Sequence, residues 1–318
     1  MRSFSCIVEE TPPRCMRLDR YIAECLKLLS RSQIKARNLT ACLNGKSVKI
    51  SQILKGGEHL EFSWEETESP LLIPENIPLD IMYEDERVVV LNKAQGMVVH
   101  PGAGNWQGTL ANALLYRMHE KKDRGDSMLE VCKTTGCRPG IVHRLDKDTS
   151  GVLIAAWDEA ALAFLADQFK VRTVRKSYAA LVHGCPPSLR GSIDKRIIRS
   201  HKDRKTFTVS DTEGRASLTH FTVIRTWGNY SLLLLRPKTG RTHQLRVHLK
   251  YLGNPILGDP IYGSTNRHSD MRFKNASLML HAKSLSLFLP NCSERSKFTT
   301  KLPDRFKTIL RSLNGIPR

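Results

Sequence analysis

No window of the 318-residue chain approaches the ~18 consecutive apolar residues of a membrane-spanning helix. The opening MRSFSCIVEETPPR also lacks the apolar run of a secretory signal. The eight cysteines are scattered and form no CxxC pair. Neither a disulfide framework nor a paired-spacing zinc site is therefore expected, and reduced thiols in the cytoplasm are. There is no Gly-rich phosphate loop, internal repeat or low-complexity tract. Acidic residues are in short supply: 31 Asp+Glu against 50 Lys+Arg leave a net charge of +19. A field of that size steers polyanions, which puts nucleic acid or an anionic membrane first among partners, and the missing apolar runs weaken the membrane half of that choice. Hydrophobic residues at 40% and charged residues at 25% describe a chain that folds around a core. Its length suits about two domains at ~100–200 residues each.

The charge is uneven. Residues 64–86 hold eight acids and no Lys or Arg, so this stretch is −8 and the remainder +27. Pro70, Pro74 and Pro78 forbid a regular helix there, and residues 64–78 are expected to be a linker. Ahead of it, Leu18, Ile22, Cys25, Leu26 and Leu29 recur at helical spacing. Ser30 or Ser32 can cap a second helix bearing Arg31, Lys35 and Arg37. The simplest reading of those basic residues is a solvated helix face. Asn44-Gly45 signals a hairpin, with Val48–Ile50 and Leu60–Phe62 supplying strand residues. Behind the linker, Val88–Leu91, Val152–Ala156, Tyr178–Val182 and Ser231–Leu235 read as buried strands. Leu162, Leu165, Ala166 and Phe169 form a helical stripe behind Asp158, a cap. Leu245, Leu249 and Leu252 mark a helix started by Thr242 and stopped by Gly253-Asn254-Pro255. Pro303 opens a closing helix with Phe306, Ile309, Leu310 and Leu313. This spacing does not suit a regular βαβ series. The fold class is α+β, with a mixed, largely antiparallel sheet flanked by helices.

Three segments can carry chemistry. In IVHRLDKDTSG (141–151), polar and charged residues crowd between two apolar runs, where a sheet can position them; Asp-Thr-Ser-Gly is also ordinary turn chemistry. In KTGRTHQLRVH (238–248), Arg241 stands where a strand gives way to a helix and can meet a carboxylate from another loop. His243 and His248, at i and i+5, lie ~140° apart on a helix. No HExxH or acid cluster supports them, so no metal is expected. Tyr178 sits in the strand of KSYAALV, where a tyrosine is most often core with its hydroxyl seeking a partner.

Together these pieces resemble the RluA-type RNA pseudouridine synthases. HRLDKDTSG is similar to that family's catalytic motif, and NKAQGMVVHPG, GTLANALL, KSYAALVHG, TGRTHQLRVHLKYLGNPILGDPIYG and LMLHAKSLSLF match its other landmarks in order over about residues 80–290. RLDRYIAECL, LSRSQIKA and LNGKSVK, within residues 16–63, resemble the S-four RNA-binding domain of a ribosomal protein. That pairing is the mark of the RluD-like subgroup acting on large-subunit ribosomal RNA. Leu39, Ala94 and the segment 193–200 depart from the family pattern; they touch turns and an RNA-facing loop.

The resemblance implies residues 16–63 as an S-four-like domain, 64–78 as linker and 79–318 as the catalytic domain. It implies a cofactor-free isomerase in which Asp146 is the nucleophile, attacking either the base or the ribose. Arg241 is expected to keep Asp146 ionised and oriented. Tyr178 would lie against the base and take part in proton transfer, and Leu245 would floor the pocket. Arg144 would fill the place left by a flipped-out uridine. Arg31, Lys35 and Arg37 would contact RNA, and a monomer is expected. A different class, an RNA-binding assembly protein that needs no catalysis, has no use for a nucleophile. A hydrolase pairing Asp146 with Asp148 would place both carboxylates in one loop, two residues apart.

Overall fold

The structure, a computed structural model, describes residues 1–9, 16–26, 28–29, 31–65, 72–102, 104–120, 139–200, 203, 206–263 and 273–315. Ser30 and the side chains of Ser32 and Lys35 lie outside the described residues. The chain divides into two compact units, residues 1–71 and 72–318.

The first unit contains β1 (Arg2–Ile7), β2 (Met16–Arg17), α1 (Leu18–Arg20) continued by a π turn over Tyr21–Cys25, α2 (Arg31–Ala36), β3 (Thr40–Leu43), β4 (Lys46–Val48), β5 (Ile53–Leu54) and β6 (His59–Trp64). A four-stranded sheet runs β1-β6-β3-β4. Asn44 and Gly45 both take positive φ, 49° and 76°, the backbone of a two-residue hairpin turn, and they join β3 to β4 as their sequence predicts. The expected first helix widens after one turn: the Leu26 amide bonds the Tyr21 carbonyl at 3.1 Å. Leu18, Ile22 and Leu29 remain buried with Phe62 and Trp64. Strand β1, which sequence reading did not anticipate, pairs along the whole of β6.

The second unit contains β7 (Ile81–Glu84), β8 (Val88–Lys93), α3 (Leu110–Glu120), β9 (Ser150–Ala156), α4 (Glu159–Lys170), β10 (Arg175–His183), β11 (Arg190–Asp194), β12 (Arg196–Arg199), β13 (Phe207–Ser210), β14 (Leu218–Trp227), β15 (Tyr230–Pro237), α5 (Gln244–Tyr251), β16 (Leu280–Phe288), β17 (Arg295–Thr299) and α6 (Asp304–Asn314). One nine-stranded sheet has the order β11-β14-β15-β10-β16-β9-β8-β7, with β17 beside β16. Its pairs are antiparallel except β16 with β9. The fold is therefore α+β with a mixed, largely antiparallel sheet.

Alternation along the strands sets the layers. Val89, Leu91, Leu153 and Ala155 pack with α3 through Leu110, Leu114 and Leu115. Val88, Val90, Val152, Ile154 and Ala156 face the other way, onto Ala161 and Leu165 of α4. Both faces of β8 and β9 are covered, which is why their sequences are continuous apolar runs. Helices α5 and α6 bury Leu245, Leu249, Phe306 and Leu313 with β10, β15 and β16.

Two expectations are corrected here. The linker over 64–78 is shorter than its composition suggests, for Trp64 closes β6 and is buried, and Leu72 packs into the core around α3. Asn112 donates to the Ile73 carbonyl at 2.7 Å, and the Glu75 carboxylate accepts the Gly108 amide at 3.1 Å. Proline forbids a helix in this stretch, but an extended chain can still dock; residues 66–71 lie outside the described set. Helix α5 begins at Gln244, with His243 rather than Thr242 as its N-cap, in the left-handed region at φ 54°. The Gln244 side chain, accepting the Arg241 amide at 3.0 Å, holds the turn that Thr242 was expected to start.

Gly151 (φ 118°) lies at the parallel junction, where a Cβ would stand 2.2 Å from the Ala282 carbonyl oxygen of β16. Gly151→Ala should force β9 and β16 apart and destabilise the unit by roughly 2–5 kcal/mol, adding over-packing to left-handed backbone strain. Urea unfolding of the two proteins measures this.

Candidate active site

The loop of residues 141–149 enters β9 and is anchored before it turns. Ile141 bridges Ala155, and the Gly140 carbonyl accepts the Ala156 amide at 2.8 Å. The Thr149 amide then returns to the Asp146 carbonyl at 3.1 Å, closing a tight turn that presents the Asp146 side chain, 19% exposed, to a cleft. That cleft has a volume of about 570 Å³, and Arg144, Asp146, Tyr178, Arg241, Leu245 and Arg246 all line it. This is the size range of small-molecule sites.

The turn rests on the end of β8. Lys93, 1% exposed, extends its ammonium beneath the loop and donates to the carbonyls of Ala94 (2.8 Å), Met97 (2.8 Å) and Lys147 (3.1 Å). Gly96 also donates to the Lys147 carbonyl, at 2.9 Å, and Gln95 Nε2 to that of Asp148, at 2.9 Å. Burial pulls the Lys93 pKa down to about 8, against the carboxylates of Asp146 and Asp148. These bonds explain the NKAQGM segment, whose role was not legible in its spacing. A lysine closing an apolar strand was the one available signal.

Arg246 on α5, not Arg241, is the guanidinium beside Asp146. Its Nη1 lies 3.5 Å from Asp146 Oδ2, while Nε and Nη2 make a bidentate pair with Asp259 at 2.8 and 2.7 Å. The side chain is 4% exposed and lies over the Tyr262 ring, 5.0 Å from its centroid. Asp259 is itself held by the amides of Ile261 and Tyr262, both at 2.9 Å. Burial opposes the Arg246 charge, but the hydrogen bonds and charge of Asp259, with Asp146 behind them, hold its pKa above the ordinary arginine value. Asp259 is likewise buried, yet Arg246 and the two amides keep its carboxyl below the usual range.

The expected pairing of Arg241 with Asp146 is thus overturned. The Arg241 side chain, three residues ahead of the helix, reaches the Ala216 carbonyl at 3.5 Å, whereas Arg246 lies on the helix itself. Sequence reading reached the right segment and chose the wrong arginine. Only the fold brings Asp259, 13 residues later, under Arg246.

Tyr178 on β10 packs against both core clusters that meet at the cleft. Burial, and after it the charge of Asp146, push its hydroxyl above the ordinary value, so the phenol form prevails. Leu245 is buried in the cleft wall. Arg144 is exposed and makes no hydrogen bond or ion pair among the described residues. His143 is no proton donor at neutral pH: burial and then the Lys176 charge pull it to about 3. Its Nε2 accepts the Ile154 amide at 3.1 Å, and its ring stacks on Phe169 at 4.6 Å. Of the candidates in the first unit, Arg31 is exposed but tied to buried Asp19 at 3.1 Å, and the Arg37 carbonyl accepts the Glu65 amide at 3.0 Å.

Beneath the loop, Arg305 of α6 donates to Ser150 Oγ at 2.6 Å. Ser150 donates to His281 Nδ1 at 2.8 Å, and His281 Nε2 donates to Thr300 at 2.7 Å. This chain needs a neutral imidazole, and burial with the nearby charges of Arg305 and Lys283 pulls His281 to about 4.

A basic cleft with one carboxylate set on a buried arginine defines the class, and comparison supplies the family. Residues 87–251 match the RNA pseudouridylate synthase family, and the chain belongs to it. Ribosomal large subunit pseudouridine synthase D of Borreliella burgdorferi is 45% identical over 301 residues, covering 93% of this chain and 89% of that protein. The protein of the same name from Zymomonas mobilis is 36% identical over 93% of each chain. Human RNA Pseudouridylate Synthase Domain Containing 1, a solved structure, aligns at TM-score 0.55 and 28% identity over 76% of this chain and 97% of that one. The protein is a pseudouridine synthase, an isomerase.

Arg246→Met should leave Asp259 buried without its partner and cost about 3–5 kcal/mol, together with isomerase activity. In Arg246→Met/Asp259→Asn, most of that stability should return without the activity. Denaturant unfolding and tritium release from [5-³H]uridine-labelled RNA read the two effects separately. A second expectation concerns acid. An unfolded histidine titrates near ~6.5 but His281 near 4, so between these values the unfolded chain binds the extra proton. Stability should be whole above the upper value and fall as pH drops toward the lower. The fall should be shallower in His281→Asn, compared by urea midpoints at neutral and mildly acid pH.

Proposed function

We propose that the protein isomerises uridines of large-subunit ribosomal RNA in the cytoplasm, with Asp146 as the nucleophile. The observation that carries this reading is Asp146 itself, a carboxylate exposed to a cationic cleft and backed by Arg246 at 3.5 Å. The names of the relatives from Borreliella burgdorferi and Zymomonas mobilis support the ribosomal target. An excess of positive charge, +19 overall, supports an RNA backbone as the substrate's body.

The reaction needs no redox step. Asp146 attacks the bound nucleotide, the bond between N1 and the ribose carbon breaks, and the base turns within the cleft. C5 then joins the ribose carbon, the C5 proton leaves, N1 gains a proton, and the carboxylate is released unchanged. Arg246 keeps Asp146 oriented as it bonds the nucleotide and as it is released, because Asp259 fixes the guanidinium. Tyr178 lies against the base and takes part in removing the C5 proton. Arg144, without a hydrogen-bond or ion-pair partner among the described residues, fills the stack vacated by the flipped uridine, which offsets part of an unstacking cost of a few kcal/mol. The first unit, S-four-like in its basic helix and hairpin, adds RNA contacts through Arg31, Lys35 and Arg37.

Asp146→Asn keeps shape and removes the nucleophilic charge. Tritium release from C5 should vanish, while RNA affinity stays within about threefold because phosphate contacts lie on many other residues. Normal turnover by the purified variant would remove Asp146 from this role. Mapping pseudouridines in ribosomal RNA from cells with and without the protein tests the target.

A further inference from the structure

One wall of the cleft carries cations that the reaction above does not use. Lys170, Arg172, Lys176, Lys238 and Arg241 line it together with Asp146 and Arg246. Asp146 is the one carboxylate among the described residues of the lining, and Arg246 already faces it. Lys176 projects between the Phe169 ring, 5.9 Å from its ammonium, and the backbone of Gly240, where an added Cβ would lie 3.5 Å from Nζ. It makes no hydrogen bond or ion pair with any described residue. Burial alone depresses its pKa, with no acid to oppose it. Arg241 is depressed by burial and then by the charges of Arg215 and Arg172. Cations gathered so that they repel one another, in a half-buried wall, lack an anion.

Arg172 supplies a second, independent observation. Helix α4 ends in a Schellman closure, with the Thr173 amide returning to the Gln168 carbonyl at 3.0 Å. The residue in the left-handed position of that closure is Arg172, at φ 62°. Glycine is the usual occupant, because a side chain there is strained. A strained backbone that directs a guanidinium into a cleft is the pattern of a position kept for binding.

We propose that Arg172, Lys176 and Arg241 form a seat for a backbone phosphodiester of the RNA, next to the nucleotide that enters the cleft. This rests on the pseudouridine synthase reading and adds the part of the substrate that this wall holds. Lys176 and Tyr178 stand two residues apart on β10, either side of a register shift at Ser177/Tyr178, and both line the cleft, at most about 6.6 Å apart along the strand, close to the reach from a nucleobase to its own phosphate. The same wall that stacks the base thus holds its backbone, and a uridine is gripped at both ends while its glycosidic bond is open. Guanidinium and ammonium suit this ligand, the first by its planar fork and the second as a point charge.

Binding of a twelve-residue oligouridylate, followed by fluorescence anisotropy across a salt series, tests the seat without requiring turnover. Lys176→Met, Arg172→Gly and Arg241→Met should each weaken binding by about fivefold to tenfold and flatten the slope of log affinity against log salt by ~0.7. Lys176→Arg should keep the slope, as should Asp146→Asn. Arg172→Gly should also raise the melting temperature while it lowers affinity, a pair of opposite effects that loss of packing cannot produce. Because Arg172 is exposed, that variant keeps the test open even if Lys176→Met fails to fold. Wild-type slope and affinity in Arg172→Gly and Arg241→Met would overturn the proposal. The activity reading fails separately: wild-type protein that releases no tritium from ribosomal RNA would sink it, whatever the slopes do.

Discussion

Arg246 is shared by two carboxylates, and the site depends on how unequally it is shared. Asp259 takes two short hydrogen bonds and Asp146 one long contact. A buried arginine with only Asp146 for company would collapse onto it in a tight pair and withdraw the carboxylate from the cleft. A buried arginine with no acid would be driven out of the core by desolvation. Asp259, fully buried and held by two backbone amides, removes both outcomes. It satisfies the guanidinium, sets its plane, and leaves Asp146 near a positive charge without being fastened to it. A carboxylate so placed is steadied by the guanidinium at 3.5 Å and still open to the cleft.

The rest of the second unit keeps that geometry from drifting. Lys93 and Gln95 hold the carbonyls of the loop from one side, and the Arg305–Ser150–His281–Thr300 chain fastens its exit from the other. Both sets act on backbone or on the first residue of β9, so they hold the loop without taking up the Asp146 or Arg144 side chain. The parallel junction of β9 with β16 sits at this exit. It demands a residue without Cβ at 151, and the motif supplies one. Buried polar groups are costly unless satisfied, and Lys93 and Gln95 spend their hydrogen bonds on the carbonyls of this loop and its neighbours.

The charge distribution makes sense at the scale of the whole cleft. Arg246 and Lys93 are internal cations with internal partners, whereas Arg144, Lys176 and Arg172 face the cavity with no acid paired to them among the described residues. The first group builds the site and the second awaits a polyanion. Arg241 belongs with the second, although its position in the motif suggests the first.

Much of this protein was legible along the chain. The continuous apolar runs of β8 and β9, the Asp158 cap of α4, the Asn44-Gly45 hairpin and the HRLDKDTSG loop are local signals, because turn chemistry, capping and burial on both faces act over a few residues. They marked the segments, and the resemblance to a family then singled out Asp146, Tyr178, Leu245 and Arg144 within them. The choice between Arg241 and Arg246 was not local. It turned on which residue lies on the inward face of α5, on a carboxylate 13 residues farther on, and on a loop about 100 residues earlier. The same holds for Lys93, whose partners are carbonyls without sequence identity, and for β1, whose exposed pattern means little until β6 lies beside it. A side chain's own sequence sets what it can bind; only the packing of distant segments decides what it meets.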